Sequence, residues 1–140
     1  MPEIKPTAGV AQAIASSALR AQQARMRIIA ENIANSDSTS RTPGGDPYRR
    51  QAPVFEPTRV DGGGIGVRMS KVEGDKTEFR QEYEPGNPSA DAKGYVKLPN
   101  VNGLVEALDM REAQRAYEAN LNVIETSRSM QMRTLDLLKK

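Results

Sequence analysis

Glycine and proline are segregated along this chain, and that segregation limits its folds more than any other feature. All nine prolines and eleven glycines lie outside two stretches, Val10 to Asn35 and Leu104 to Lys140, while residues 43–103 hold seven of the prolines and ten of the glycines. Continuous helix cannot tolerate that density, because proline lacks the amide donor and glycine adds backbone entropy to the cost of ordering. The middle must be turns, strands and loops, and the two flanking stretches are the helix candidates. At 140 residues and 37% hydrophobic content, the chain has material for about one modest domain.

In the first stretch two apolar stripes run side by side at helical spacing, one through Val10, Ile14, Ala21 and Ile28, the other through Ala11, Ala15, Leu19, Met26, Ile29 and Ile33. Together they make one broad, alanine-rich face that wants neighbours on more than one side. A charge at Ile29 should therefore be buried only after packing against another subunit. The short polar run Asn35-Ser36-Asp37-Ser38-Thr39-Ser40 ends the helix by competing for its backbone hydrogen bonds. Asn32 and Asn35 sit near that end, where their amides either find buried partners or serve as plain C-capping groups.

The last stretch starts from Asn100 or Asn102 as N-cap, with Glu106 in the first turn to complement the helix dipole. Leu104, Val105 and Leu108 are followed, from Ala113 onward, by a 3–4 repeat through Ala116, Tyr117, Asn120, Val123, Ile124, Ser127, Met130, Thr134, Leu137 and Leu138. Asn120 either sets a register in that seam or faces solvent. At ~1.5 Å rise per residue the helix could exceed ~50 Å, more than the core of one small domain can cover. Burial against other molecules is the natural remedy.

Between the helices, Ile65, Val67 and Met69 alternate, as do Thr77, Phe79, Gln81 and Tyr83, with Gly74-Asp75-Lys76 as a hairpin loop between them and a bulge near Lys71-Val72. Residues 48–55 and 95–98 offer further strands. Gly62-Gly63-Gly64-Ile65-Gly66 is the single Gly-rich loop, but a phosphate cradle needs a helix start after it, and a strand pattern follows, so a turn is expected. Glu82 and Glu84 would share a strand face, as paired carboxylates do in some hydrolases; without another acid anchored beside them a solvated edge fits better. Arg49-Arg50 after Pro47-Tyr48 could meet an acidic partner through planar pairing, or form a solvated pair at a strand start, which composition favours.

The chain has no cysteine, histidine or tryptophan, which removes thiolate nucleophiles, Cys/His zinc sites and His-based triads. No catalytic residue, metal or cofactor is expected. Twenty basic and eighteen acidic groups nearly cancel, and they also balance by segment: four and two in residues 1–35, ten of each in 36–102, six of each in 103–140. A nucleic-acid binder concentrates its cations and stacks bases on aromatics. This chain, with six aromatics, does neither, so a helical nucleic-acid module using Arg20, Arg25, Arg27, Arg128 and Arg133 is the alternative reading, with a carboxylate hydrolase third. Nothing reads as a signal peptide or a membrane span, which on those signals alone points to the cytoplasm.

Glu31-Asn32-Ile33-Ala34-Asn35-Ser36-Asp37-Ser38-Thr39 closely resembles the N-terminal signature of bacterial flagellar rod, hook and related axial proteins. Three more stretches resemble the C-type proximal-rod branch of that family: Arg41 to Arg50; Tyr83 to Asp91, continuing through Gly94-Tyr95-Val96 to Leu98-Pro99-Asn100-Val101-Asn102; and Arg115-Ala116-Tyr117-Glu118-Ala119-Asn120. The resemblance implies a structural subunit, not an enzyme, of the periplasmic drive shaft that carries torque from the membrane ring to the distal rod and hook. It implies type III export without a cleaved signal, no direct membrane insertion, and as neighbours the B-, F- and G-type rod proteins, the rod–ring adaptor E, the membrane-ring protein and further copies of the chain.

The expected fold is mainly α with a small β insert: a flexible tail at 1–9, long helices at 10–35 and 103–140 paired as a coiled-coil-like axial core, and a loop and β-hairpin region at 36–102. The expected assembly interface comprises Ile14, Leu19, Met26, Ile28, Ile29, Asn32, Ile33 and Asn35 with Ala116, Tyr117, Asn120, Val123, Ile124, Met130 and Leu137. Tyr48, Arg49 and Arg50 are candidate contacts to a neighbouring subunit.

Overall fold

The computed structural model describes residues 7–139. Two long helices, α1 (Thr7–Ala34) and α2 (Gly103–Leu138), enclose four strands in sequence, β1 (Gln51–Arg59), β2 (Ile65–Gly74), β3 (Arg80–Tyr83) and β4 (Tyr95–Leu98). The chain is mainly helical with a small antiparallel β part. Helix α1 begins three residues ahead of Val10, so residues 7–9 of the expected tail are helical; the rest of that tail lies outside the described residues. No described helix is long and apolar enough to cross a membrane.

The strands pair differently from the expected hairpin. β2 lies beside β1, and β3 pairs antiparallel with β4, placing Arg80 opposite Leu98 and Tyr83 opposite Tyr95. Pro53 and Pro57 make residues 51–59 look unfit for a ladder, yet they cost it nothing. Val60 N–H donates to Gly64 O and Asp75 N–H to Arg50 O, so the even-numbered residues of β1 face β2. Amide direction alternates along a strand, and Gln51 N–H indeed points the other way, to Asn32 Oδ1. Both prolines share Gln51's parity and present no missing donor to β2. Ten positions separate Arg50 from Val60 and eleven separate Gly64 from Asp75, so β2 carries one extra residue, the count a β-bulge produces.

The chain packs as two compact units. Unit 1 comprises residues 7–25, 54–71 and 112–139; unit 2 comprises 26–53 and 72–111. In unit 1 the Gly-rich loop turns the β1–β2 hairpin, with Gly62 and Gly63 at positive φ of 96° and 86°. Gly64 and Gly66 instead permit close approach to α1. A Cβ on Gly64 would lie 2.7 Å from Val10 Cγ1 and 2.9 Å from Ile14 Cδ1, and one on Gly66 would overlap Ser17 Oγ. Ser17 completes the joint: its hydroxyl donates to Ile14 O and accepts from Val67 N–H at 3.1 Å. In unit 2, Asn102 is the N-cap of α2, its Oδ1 accepting from Leu104 and Val105 N–H. Asn100 is drawn elsewhere.

Candidate assembly surfaces

Unit 2 is closed by polar side chains. Asn32, fully buried on the last turns of α1, donates from Nδ2 to Gln51 O at 2.8 Å and accepts at Oδ1 from Gln51 N–H and, at 2.7 Å, from the Tyr48 hydroxyl. The amide thus has the partners its burial demands. Burial, helped by the negative charges of Glu31 and Glu106, holds the Tyr48 phenol above its ordinary range. Asn35 acts as a cap, donating to Glu31 O and accepting from the Ser38 hydroxyl.

Arg50 ties the strand to the start of α2. Its Nε donates to Glu106 Oε1, and its terminal nitrogens lie 3.3 Å from Asp75 Oδ2 and 3.7 Å from Asp109 Oδ2. Glu106 is fully buried. Burial alone would lower the guanidinium; the Glu106 hydrogen bond and the charges of Glu106 and Asp75 outweigh it and hold Arg50 above its usual value. Asp75 is held below the ordinary carboxylate range, first by Thr77, whose N–H it accepts at 2.9 Å, and then by Arg50. Arg49 donates to Asp75 O and Thr77 O and stacks 4.3 Å over the Phe79 ring. Asn100 accepts from Arg50 N–H and donates to Asp75 O and Thr77. Tyr48, Arg49 and Arg50 are thus all engaged inside the chain. Within the stretch expected as a hairpin loop, Gly74-Asp75-Lys76, Asp75 anchors Arg49 and Arg50, while Tyr48 is held by Asn32.

Glu106 had a sequence signal that its first-turn position masked. Glu106, Ala113, Asn120 and Ser127 recur every seven residues, and Ala113 and Ser127 are buried. A carboxylate on a buried line needs a cation, and Arg50 supplies it from 56 positions away.

Unit 1 is built the other way. Its buried residues are mostly small: Ala15, Ser17 and Ala21 on α1, Ala113, Ile124 and Ser127 on α2. Arg25 and Glu112 join the two helices at 3.6 Å. Of the residues expected at the interface, Ile14, Leu19, Met26, Asn35, Ala116, Tyr117 and Asn120 are half-buried, and Ile28, Ile29, Asn32 and Ile124 are buried within the single chain. Asn120 Nδ2 bonds back to Ala116 O on its own helix. Ile33, Val123, Met130 and Leu137 are exposed, Leu137 to 74%. The 3–4 repeat therefore splits. One line, through Ala113, Tyr117, Asn120, Ile124 and Ser127, turns inward; a second, through Ala119, Val123, Thr126, Met130 and Leu137, faces out. Leu121, Met132 and Leu135 are exposed on the other flank.

Glu82 and Glu84 are both exposed, and Glu84 accepts from Asn87 Nδ2. Asp46 accepts from Lys97 Nζ at 3.1 Å. Among the described residues no cluster of acids could hold a metal ion.

Comparison with known proteins bears on these surfaces. Residues 13–41 match the family described as flagella basal body rod protein, and residues 92–137 match the flagellar basal body rod FlgEFG protein C-terminal family. The chain is similar to the flagellar basal-body rod protein FlgC of Agrobacterium fabrum, 50% identical over 130 residues that cover 92% of this chain and 94% of that one. It is also similar to FlgC of Borreliella burgdorferi, at 45% identity over 90% and 94% of the two chains, and to FlgC of Bacillus subtilis, at 34% over 90% and 95%.

Proposed function

Because the chain belongs to the FlgC-type family of flagellar basal-body rod proteins, we propose that this structural subunit of the basal body polymerises through its terminal helices into the proximal rod. In that role it transmits torque from the membrane ring to the distal rod and hook. It reaches the periplasm by type III export and meets the B-, F- and G-type rod proteins, the adaptor E, the membrane-ring protein and further copies of itself.

The observation that carries this reading is the outward line of α2. Val123, Met130 and Leu137 recur every seven residues, all exposed, while the inward line of the same helix is buried. A helix apolar on several faces but covered on one has surface left for partners. Basal bodies purified from cells that carry only a tagged copy should contain the chain. Met130→Asp should be exported in normal amount yet leave cells non-motile and without a rod. Absence of the unsubstituted chain from basal bodies, or normal motility of Met130→Asp combined with Val123→Asp, would overturn the reading.

A further inference from the structure

Unit 1 also holds two charged surfaces that its own fold leaves unmatched. A cleft of about 680 Å³ opens between α1 and the tip of the β1–β2 hairpin, lined by Arg20 from the helix and by Arg59, Asp61 and Arg68 from the hairpin. Arg68 is held by Glu56. Arg20 and Arg59 are exposed and form no ion pair among the described residues. The lining thus sets three arginines against one aspartate, with two of the arginines uncommitted.

The second surface lies on α2. Glu118, Glu125 and Asp136 are exposed, form no ion pair among the described residues, and stand seven and eleven positions apart. At ~100° per residue they fall within about 20° of one line along the helix. At the same pitch the exposed Met132 and Leu121 lie roughly 40° and 60° to one side of that line, Arg128 lies about 80° off on that side, and Arg115 and Arg133 lie roughly 60° to the other side. The buried line through Ala113 and Ile124 is on another side of the helix.

We infer that the line of exposed carboxylates on α2, Glu118 and Glu125 above all, docks in one copy into the arginine cleft of the next copy. Carboxylates at helical spacing suit guanidinium groups, which pair with them in planar, bidentate fashion. The two surfaces are different parts of the same unit, so the contact is heterologous, and a heterologous contact that does not close on itself generates an open helical polymer. Both halves of the match are present on one chain, which makes a second copy the occupant. This inference rests on the reading of the chain as a polymerising rod subunit.

Charge reversal on each side, then on both, tests it in cells. Arg20→Glu with Arg59→Glu, or Glu118→Arg with Glu125→Arg, should each cut completed basal bodies by about tenfold or more, since like charges brought together at an interface are strongly unfavourable. All four changes in one chain should restore the number to within about twofold, because every contact then regains opposite charges. Each purified variant should melt as the unsubstituted chain does, all four side chains being exposed. The milder pair Arg20→Gln with Arg59→Gln should make isolated rods fall apart at lower salt. The inference is overturned if the fourfold variant assembles no better than either pair, as it would if the cleft held another protein's acidic face, or if either reversal alone builds normal rods. The unsubstituted tagged chain separates the two failures. Found in basal bodies without rescue, it sinks the docking alone; absent from them, it sinks the rod reading as well.

Discussion

In unit 2, the end of α1 and the start of α2 are fixed by directed polar bonds, Asn32 to Tyr48 and Gln51 on one side, Glu106 to Arg50 on the other. In unit 1 the same two helices bury mainly alanine and serine and share one partly exposed ion pair, Arg25 with Glu112, a kind of contact worth about 0–1 kcal/mol. The first region is specified by geometry that only its own residues can satisfy. The second has small buried side chains and large exposed ones, an inversion of the usual order that makes sense if its core is completed by other subunits.

Aspartate scanning separates the two regions most sharply. Ile29 is 3% exposed in the single chain, contrary to the expectation that its face is covered only on assembly. Ile29→Asp should therefore abolish folding of the monomer, with loss of several kcal/mol from an unpaired buried charge, and the chain should fail to melt cooperatively. Met130→Asp, at an exposed site of unit 1, should leave the melt unchanged to within about 0.5 kcal/mol and block assembly. Equal effects at both positions would erase the distinction.

Next in size is the ion pair of unit 2. Arg50→Met strands the Glu106 carboxylate, which should cost about 3–5 kcal/mol in denaturant unfolding. Adding Glu106→Leu should recover most of that loss, because a buried pair replaced by apolar groups is often near neutral. If the double variant is as unstable as the single one, the Asp75 and Asp109 contacts carry the weight assigned here to Glu106.

The joint between hairpin and helix in unit 1 is steric. Gly66→Ala drives a methyl group into Ser17 Oγ and to 2.7 Å from Val60 Cγ1, and overpacking of this kind costs about 1–3 kcal/mol. Gly86→Ala, where a Cβ meets nothing within 4 Å, is the matched control. A Gly66→Ala chain as stable as the control would show that the hairpin does not sit against α1.

Acid should act on unit 2 first. The folded state holds the Asp75 carboxyl below its unfolded value of 3.8, so its contribution is present above that pH and is lost as pH falls toward the lower folded value. Amide exchange around Asp75 and Thr77 should rise below about pH 4, and Asp75→Asn should flatten that rise. An unchanged profile in Asp75→Asn would move the acid sensitivity to another carboxylate.

The helices were legible because Gly and Pro punctuate them, and the N-cap was narrowed to Asn100 or Asn102 because only those two amides precede the apolar run. Local sequence could not choose between them. Asn100 is claimed by Arg50 and Thr77, partners 50 and 23 positions away. The partner of β2 differs from the expected one for a related reason: an alternating pattern tells which face is inward but not which strand is alongside, and residues 48–55 stood beside 77–83 as an equally possible neighbour. The resemblance runs through the stretches that hold Asn32 and Tyr48 to Arg50, while what those side chains bond, partners within the chain, is visible only in three dimensions.

The smallest expected effect falls at the start of α1. Gly9 is inside the helix, its backbone is not at positive φ, and a Cβ there meets nothing within 4 Å. Alanine should remove the entropy penalty of glycine without touching a neighbour, a gain of about 0.5–1 kcal/mol. Because the site lies in unit 1, far in sequence from Asn32 and Arg50, the gain should appear as slower amide exchange in the first turns of α1 and leave exchange around Asp75 and Thr77 unaltered. A combined Gly9→Ala and Arg50→Met chain should then show the two effects adding. Strong coupling between them would mean that the open helix end and the polar latch fold as one cooperative element, and that the contrast drawn between the units describes side-chain chemistry but not stability.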